Sequence, residues 1–532
     1  MENPAHRRNE APAPGPTVAS ILRRGHEEYR DLPAVVDPAG HVMTYGELGA
    51  AARRLVTGLQ GLRAAKGDRV VVLTKNRSEC FVLDHALAIG GYARVALSYR
   101  LHPREIVDIV RDAGARIVVL DRERNDVADA LDAEGIDVVV VGLDEAARAG
   151  SVEFASLLTG TEAEPVEVTP DDVAWIPYTS GTSGRPKGVV HTHRSLASIV
   201  RNMLVELPEA TTSDVVVHVA PLTHLSGYAM LAYFFRGARH IALGHFHIEN
   251  YLNVVERHRG TVLPLVPTMI NMLVPALEKG EHDVSSVHSI IYGGSPIAPD
   301  RLARAIGVFG PVFLQSYGLT EMPFTSYLPK QDHVFDPQGP LPDRLGSAGR
   351  VSPYAELRLM TAEGNLAGES EAGEIQLRGD ARMAGYWNLP EDTAAVLLEG
   401  GWVATGDVGR ISEGFLHVVD RKKDMIVSGG FNVYPVEVEN AIYTLPEVAE
   451  VAVVGIPDDR WGESVHAVIV AREGRPVAED DIRRACLASI AAYKQPRSIE
   501  FVDELPKTST GKIMRRVVQD RFWAGRERKV NG

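Results

Sequence analysis

The sequence predicts an α/β protein: a large N-terminal domain of mostly parallel sheets with helices plus a β-rich subdomain, and a small α+β C-terminal domain. Three observations predict it. Apolar strand-like runs alternate with segments of helical period from Thr44 to about Val141, and again through residues 171–293, as parallel strands covered on both faces do. Between about 345 and 420, short strands with Gly-rich turns replace that alternation. A charged interruption, VVDRKKD (418–424), then precedes a compact βαβ-like module.

The elements follow in order. YGELGAAARRLVTGLQGL has apolar residues at helical spacing, DRVVVLTKN is β-rich, and ECFVLDHALAIGGY is helical again. ARVALSYR, a helix around PREIVDIVRDAG, ARIVVLD and IDVVVVG continue the series. DDVAWIPY is a buried strand, and DVVVHVAPL, RHIALG, GTVLPLVP and SIIYGGS extend the alternation. GSAGRVSPYAELRLM, GEIQLRG and GFLHVVD supply the β-rich part. The last module reads PVEVENAIYTLPEVAEVAVVGI, ESVHAVIVA, a helix from Glu479 to Ala492, and SIEFVDELP. The expected division is a disordered, Pro/Ala-rich lead-in over 1–18, an N-terminal domain over 19–420 and a C-terminal domain over 421–532, joined at 420–424.

Bulk properties exclude several function classes. A chain of 532 residues is too long for one core, and its 45% hydrophobic content is ample for a large one. The net charge of −14 argues against nucleic-acid or broad anionic-membrane partners, which require basic patches. The start, MENPAHRRNEAPAPGPT, lacks an apolar signal core, and no run of eighteen apolar residues could span a membrane. Two distant cysteines, Cys80 and Cys486, do not make a disulfide framework, so a reducing, cytoplasmic compartment is expected. The sequence is compatible with a monomer or a homodimer.

YTSGTSGRPKG (178–188) interrupts two apolar runs with three Gly, four Ser/Thr hydroxyls and a lysine, Lys187. Gly lets backbone N–H groups approach an anion, hydroxyls donate hydrogen bonds, and a lysine adds charge, so the stretch suits a polyphosphate. A solvated surface loop is the bland alternative. The GxxxxGK[ST] phosphate loop does not fit, because Gly188 follows Lys187, and no GxSxG elbow is present. GGSPI (293–297) is a Gly-rich strand end against which a flat ring could press; SYGLTEM (316–322) offers a ring, a hydroxyl and a carboxylate. HTH (191–193), HFH (245–247), His218 and His224 follow no zinc spacing.

YTSGTSGRPKG closely resembles the phosphate-binding signature of the acyl-adenylate-forming enzymes, and from TYGELGAAARRL to PKTSTGKIMRR the motifs stand in that superfamily's order. The branch it resembles is that of the acyl-CoA synthetases. The resemblance implies that Thr179, Ser180, Gly181, Thr182, Ser183, Gly184 and Lys187 cradle the ATP phosphates, and that Gly293, Gly294, Ser295, Tyr317 and Gly318 sit at the adenine. It implies that Thr320 contacts phosphate, Glu321 helps hold Mg²⁺, and Asp407 in GWVATGDVGRI and Arg421 in DRKKD contact the nucleotide. Lys423 matches the hinge about which a mobile C-terminal domain turns, and Ser428, Gly429, Gly430 and Phe431 match the loop along the pantetheine arm of coenzyme A. Lys512 matches the lysine that enters the site during adenylation, and His224 the gate of the acyl pocket. Ser509 to Lys512 also spells SxxK, but no SDN triplet accompanies it.

The implied reaction joins a carboxylic acid to the AMP of ATP, releases pyrophosphate, and then passes the acyl group to the thiol of coenzyme A or, alternatively, of an acyl carrier protein. PLTHLSGYAML has no acidic residue to pair with an α-ammonium group, while GYAMLAYFF, LPLVPTMINML and TEMPFTSYL are apolar and Met-rich. A fatty or other apolar acid is therefore expected.

Overall fold

The computed structural model describes residues 15–144, 148–180, 186–207, 209–421, 424–428, 431–458, 460–508 and 512–524. Its first helix, Val18–Glu28, starts inside the expected lead-in, where Thr17 and Ser20 form a capping box: the Ser20 N–H donates to Thr17 Oγ1 at 2.9 Å.

Among the described residues two nine-stranded sheets dominate. In one, Ser289–Gly293 lies between Val262–Leu265 and Phe313–Leu319, all parallel. In the other, Ala93–Ala96, Arg69–Leu73, Ile117–Leu120 and Val139–Gly142 run parallel, and Pro186–Thr192 pairs antiparallel with Val173–Trp175 beside them. The alternation of strand and helix anticipated this order. Antiparallel strands are added at the sheet ends, where hairpins need no crossover helix.

Two helices pack within the largest core cluster and are apolar nearly all round: Ser78–Gly90, buried from Cys80 onward, and Leu225–Phe234, buried from Ser226 onward. Phe81 and Phe234 meet edge-on at 5.7 Å, so losing either ring costs about 3–5 kcal/mol.

The β-rich part is a four-stranded antiparallel sheet, Glu356–Met360, Gly373–Arg378, Trp402–Ser412 and Phe415–Arg421. Asp407 lies inside the strand Trp402–Ser412, not in a turn between strands, because both neighbouring strands pair along that run. After residue 424 a five-stranded sheet follows, with its own apolar cluster from Ile426 to Cys486. The helix expected over 479–492 ends at Ser489; Ile490 is extended, and a short 3₁₀ turn, Ala492–Lys494, completes the segment. No helix among the described residues is long and apolar enough to cross a membrane.

Candidate active site

Strands Tyr178–Ser180 and Pro186–Thr192 pair as a hairpin, with Thr179 opposite Lys187. Gly181, Thr182, Ser183 and Gly184 lie outside the described residues. Gly188 is required by space: a Cβ there would come within 2.8 Å of Ile176 and 2.9 Å of Tyr178. Lys187 is not free; its ammonium pairs with Asp392 and lies 5.2 Å from the centre of the Tyr386 ring.

The SYGLTEM segment continues the strand Phe313–Leu319 rather than following it, because Met322–Leu328 returns beside it. Leu319 pairs with Met322, which leaves Thr320 and Glu321 as a two-residue hairpin tip. Each is held from outside. The His191 Nε2–H donates to Thr320 O at 2.7 Å, and since a carbonyl only accepts, the proton of the neutral ring sits on Nε2. Burial keeps that ring neutral, with its pKa pushed down to about 4. The Tyr386 hydroxyl donates to Glu321 Oε1 at 2.7 Å and leaves Oε2 available. Gly318 admits no side chain, since a Cβ would fall 2.6 Å from Phe324 N.

Gly293 ends its strand opposite Ser316, where a Cβ would meet Ser316 O at 2.4 Å. Gly294 turns the chain at φ +82°, and a Cβ there would stand 3.6 Å from Lys512 Cε. A residue 218 positions later in sequence thus faces the loop that runs through Ser295.

Asp407 and Arg421 are cross-strand partners. Arg421 Nε stands 3.3 Å from Asp407 Oδ1, and the Tyr317 hydroxyl donates to Oδ2 at 2.8 Å. Burial still raises the Asp407 carboxyl above its usual range, opposed by Arg421 and Tyr317. Lys512 is lowered below the lysine range, first by the protein packed around it and then by Arg421, while Asp407 pulls it upward.

His224 precedes helix Leu225–Phe234, and its Nδ1 shares a hydrogen bond with Thr223 Oγ1 at 2.7 Å. Crowding, then the charges of Lys512 and Arg94, push it down to about 4. His224 and Lys512 both keep open surface. Lys512 approaches the strand end at Gly294, and its charge acts on both His224 and Asp407, so the four-stranded sheet, the start of helix Leu225–Phe234 and the C-terminal segment come together around it.

The remaining expected residues lie elsewhere. Ser428 pairs with Phe431 in a hairpin of the five-stranded sheet, and Gly429, Gly430 and Lys423 lie outside the described residues. Sequence reasoning missed His191, Tyr386 and Asp392, which touch Thr320, Glu321 and Lys187. Among the described residues no group of three or more His, Cys, Asp or Glu side chains could hold a metal ion.

Residues 22–387 match the family described as AMP-binding enzyme, and residues 437–512 match the AMP-binding enzyme C-terminal domain. A fatty acid–[acyl-carrier-protein] ligase of Streptomyces coeruleorubidus is 34% identical over 95% of this chain and 96% of its own. A medium/long-chain-fatty-acid–CoA ligase of Mycobacterium tuberculosis is 35% identical over 92% and 87% of the two chains. A feruloyl-CoA synthase of an Amycolatopsis species is 36% identical over 91% and 94%. The crystal structure of ATP-bound MatB from Rhodopseudomonas palustris superposes with a TM-score of 0.84 at 30% identity, covering 95% of this chain and 99% of that one. The chain belongs to the AMP-binding enzyme family, within the acyl-CoA synthetase branch of the acyl-adenylate-forming enzymes, the AMP-forming acid–thiol ligases.

Proposed function

We propose that this enzyme activates a fatty or other apolar carboxylic acid as its acyl-adenylate and transfers the acyl group to coenzyme A, in the cytoplasm. The observation that supports the reading is the approach of Lys512 to Gly294, with its charge acting on both Asp407 and His224.

In the first half-reaction a carboxylate oxygen attacks the α-phosphorus of ATP; the new P–O bond forms as the bond to pyrophosphate breaks. Asp407 is assigned to the ribose. A carboxylate has about four acceptor positions, so Tyr317 and Arg421 leave room for two sugar hydroxyls. Tyr317, Gly293, Gly294, Ser295 and Gly318 form the proposed adenine wall. The 179–184 segment, Thr320 and Lys187 are assigned to the phosphates. An ammonium has three donors, so Lys187 can keep Asp392 and still meet an oxygen.

Glu321 suits Mg²⁺, which takes one or two carboxylates and fills its shell with phosphate oxygens and water rather than an all-protein cage. Bound with the triphosphate, the ion offsets phosphate charge; the chain's part is to hold Oε2 of Glu321 at the hairpin tip through Tyr386. Lys512 stabilises the charge that gathers as carboxylate meets phosphate. Neutral His224 is assigned to the mouth of the acyl pocket, where it orients the acid without adding charge. In the second half-reaction the C-terminal domain turns about Lys423, withdraws Lys512 and brings the Ser428–Phe431 hairpin to the thiol arm, whose sulfur bonds the acyl carbon as the bond to AMP breaks and the thiol proton is lost to solvent.

The test offers decanoate, ferulate and 4-coumarate with ATP, and coenzyme A or a phosphopantetheinylated carrier protein as acceptor. AMP with an acyl-CoA product supports the reading; ADP would overturn it. Transfer to carrier protein alone would favour the second reading, an acyl carrier protein ligase, which the Streptomyces relative's acceptor motivates.

A further inference from the structure

Helix Pro299–Phe309 follows the loop that meets Lys512 at Gly294. Near its start Arg301 reaches out of the N-terminal portion altogether. The guanidinium donates to Val448 O at 2.8 Å and Ala449 O at 3.1 Å, and its carbon lies 4.3 Å from the centre of the Tyr443 ring. Tyr443 ends helix Pro435–Tyr443, and Val448 and Ala449 begin the strand Val448–Asp458 of the five-stranded sheet. Tyr443 is itself fixed, its hydroxyl accepting from Val451 N–H at 3.2 Å. The hydrogen-bond and ring partners of the Arg301 guanidinium thus belong to the C-terminal part, and each of them is neutral.

The same seam is rich in arginine. A cleft of about 440 Å³ is lined by Arg304, Arg472 and Arg475, with Glu473 beside them. Arg304 is taken up by Glu278, and Glu450 by Lys507. Burial, then Arg304 and Arg475, lower Arg472, as mutual repulsion requires. Arg304 and Arg472 repel across this seam, while the Arg301 guanidinium grips it through hydrogen bonds and a ring contact to neutral groups.

We propose that Arg301 is a positioning residue for the adenylation half-reaction: by clamping Tyr443 and the carbonyls of Val448 and Ala449, it holds the arrangement that keeps Lys512 in the cleft. The inference rests on the role proposed above for Lys512. A planar guanidinium can donate to two carbonyls while lying on a ring; a lysine ammonium is a point charge and cannot do both. Contacts made in one domain arrangement only should affect only the half-reaction run in that arrangement.

The experiment compares Arg301→Ala, Arg301→Lys and Lys512→Ala in the full chain. Pyrophosphate–ATP exchange is measured with decanoate and with ferulate, and thioester formation from supplied decanoyl-AMP or feruloyl-AMP with coenzyme A. Arg301→Ala is expected to lower exchange at least about tenfold and leave thioester formation within about twofold of the parent or faster, and Arg301→Lys to recover less than about half of the loss. Tyr443→Leu, which keeps the carbonyls and removes the ring, gives the same split to a smaller degree and carries the test if Arg301→Ala does not fold. Undiminished exchange in Arg301→Ala, with Lys512→Ala inactive in exchange, overturns the clamp and leaves the functional reading standing. A parallel fall of both half-reactions in Arg301→Ala and Arg301→Lys also overturns it, as a merely structural role would produce. Retained exchange in Lys512→Ala removes the role of that lysine and the clamp with it.

Discussion

The Tyr317 hydroxyl donates to Asp407 Oδ2 at 2.8 Å while Arg421, the cross-strand partner of Asp407, stands 3.3 Å from Oδ1. One carboxylate is thereby oriented by two strands of different sheets. A hydrogen bond to a charged group contributes roughly 1.5–3 kcal/mol, and burial already presses the Asp407 carboxyl toward its neutral form. Tyr317→Phe keeps the ring and removes the donor. Its expected effect is a rise in KM for ATP of about five- to tenfold with a smaller change in kcat; an unchanged KM would mean that the hydroxyl does not orient the nucleotide site.

Glu321 carries the second prediction. Its Oε1 accepts from the Tyr386 hydroxyl, and Oε2 is the oxygen we propose for Mg²⁺. Glu321→Gln is expected to raise the Mg²⁺ concentration for half-maximal adenylation about tenfold or more, and Tyr386→Phe to raise it by a smaller factor. Identical Mg²⁺ titrations for parent and Glu321→Gln would take the carboxylate out of the site.

Much of this was legible in the sequence, and the reasons differ from element to element. The parallel sheets follow from β-branched runs such as RVVVL and IVVL separated by helical-period segments, a pattern set by local burial. Gly293 and Gly318, which the family resemblance singled out, stand where backbone atoms approach too closely for a side chain. Tyr386, Asp392 and His191 were not legible, because each acts through a partner far along the chain: 65 residues for Tyr386–Glu321, 205 for Asp392–Lys187 and 129 for His191–Thr320. Polar residues of that kind carry no periodic or compositional mark. The partners of Asp407, Arg421 across the strand and Tyr317 from another sheet, were likewise hidden, since neither lies near it in sequence.

A third prediction concerns acid stability. His26 and His85 share a 2.7 Å contact, His218 and His240 one of 2.9 Å, and all four rings are buried. Burial pushes His26, His191, His193 and His333 down to about 4 and His218 to about 3, with His85 and His240 well below the histidine range. For such groups the unfolded chain binds more protons, so the neutral rings favour the fold fully above about pH 6.5 and that stability is lost as pH falls toward about 4. Asp84 and Asp420, raised to about 6 by burial, and Asp407 and Glu206, also raised by burial, act in the opposite sense, but they are four against seven. Each histidine adds about 1.4 kcal/mol per pH unit, so denaturant midpoints should fall steeply between about pH 6.5 and about pH 5. A flat profile there would show that the rings titrate normally.

The central claim is that a single cleft cleaves ATP between its α- and β-phosphates and places the nucleotide on a carboxylic acid. Exchange of labelled pyrophosphate into ATP tests it most directly, measured with decanoate, ferulate and 4-coumarate in the absence of coenzyme A. The account predicts exchange that requires one of these acids and Mg²⁺, and that falls by at least about a hundredfold in Lys512→Ala. No exchange with any acid, or exchange that proceeds equally without Lys512, would contradict it.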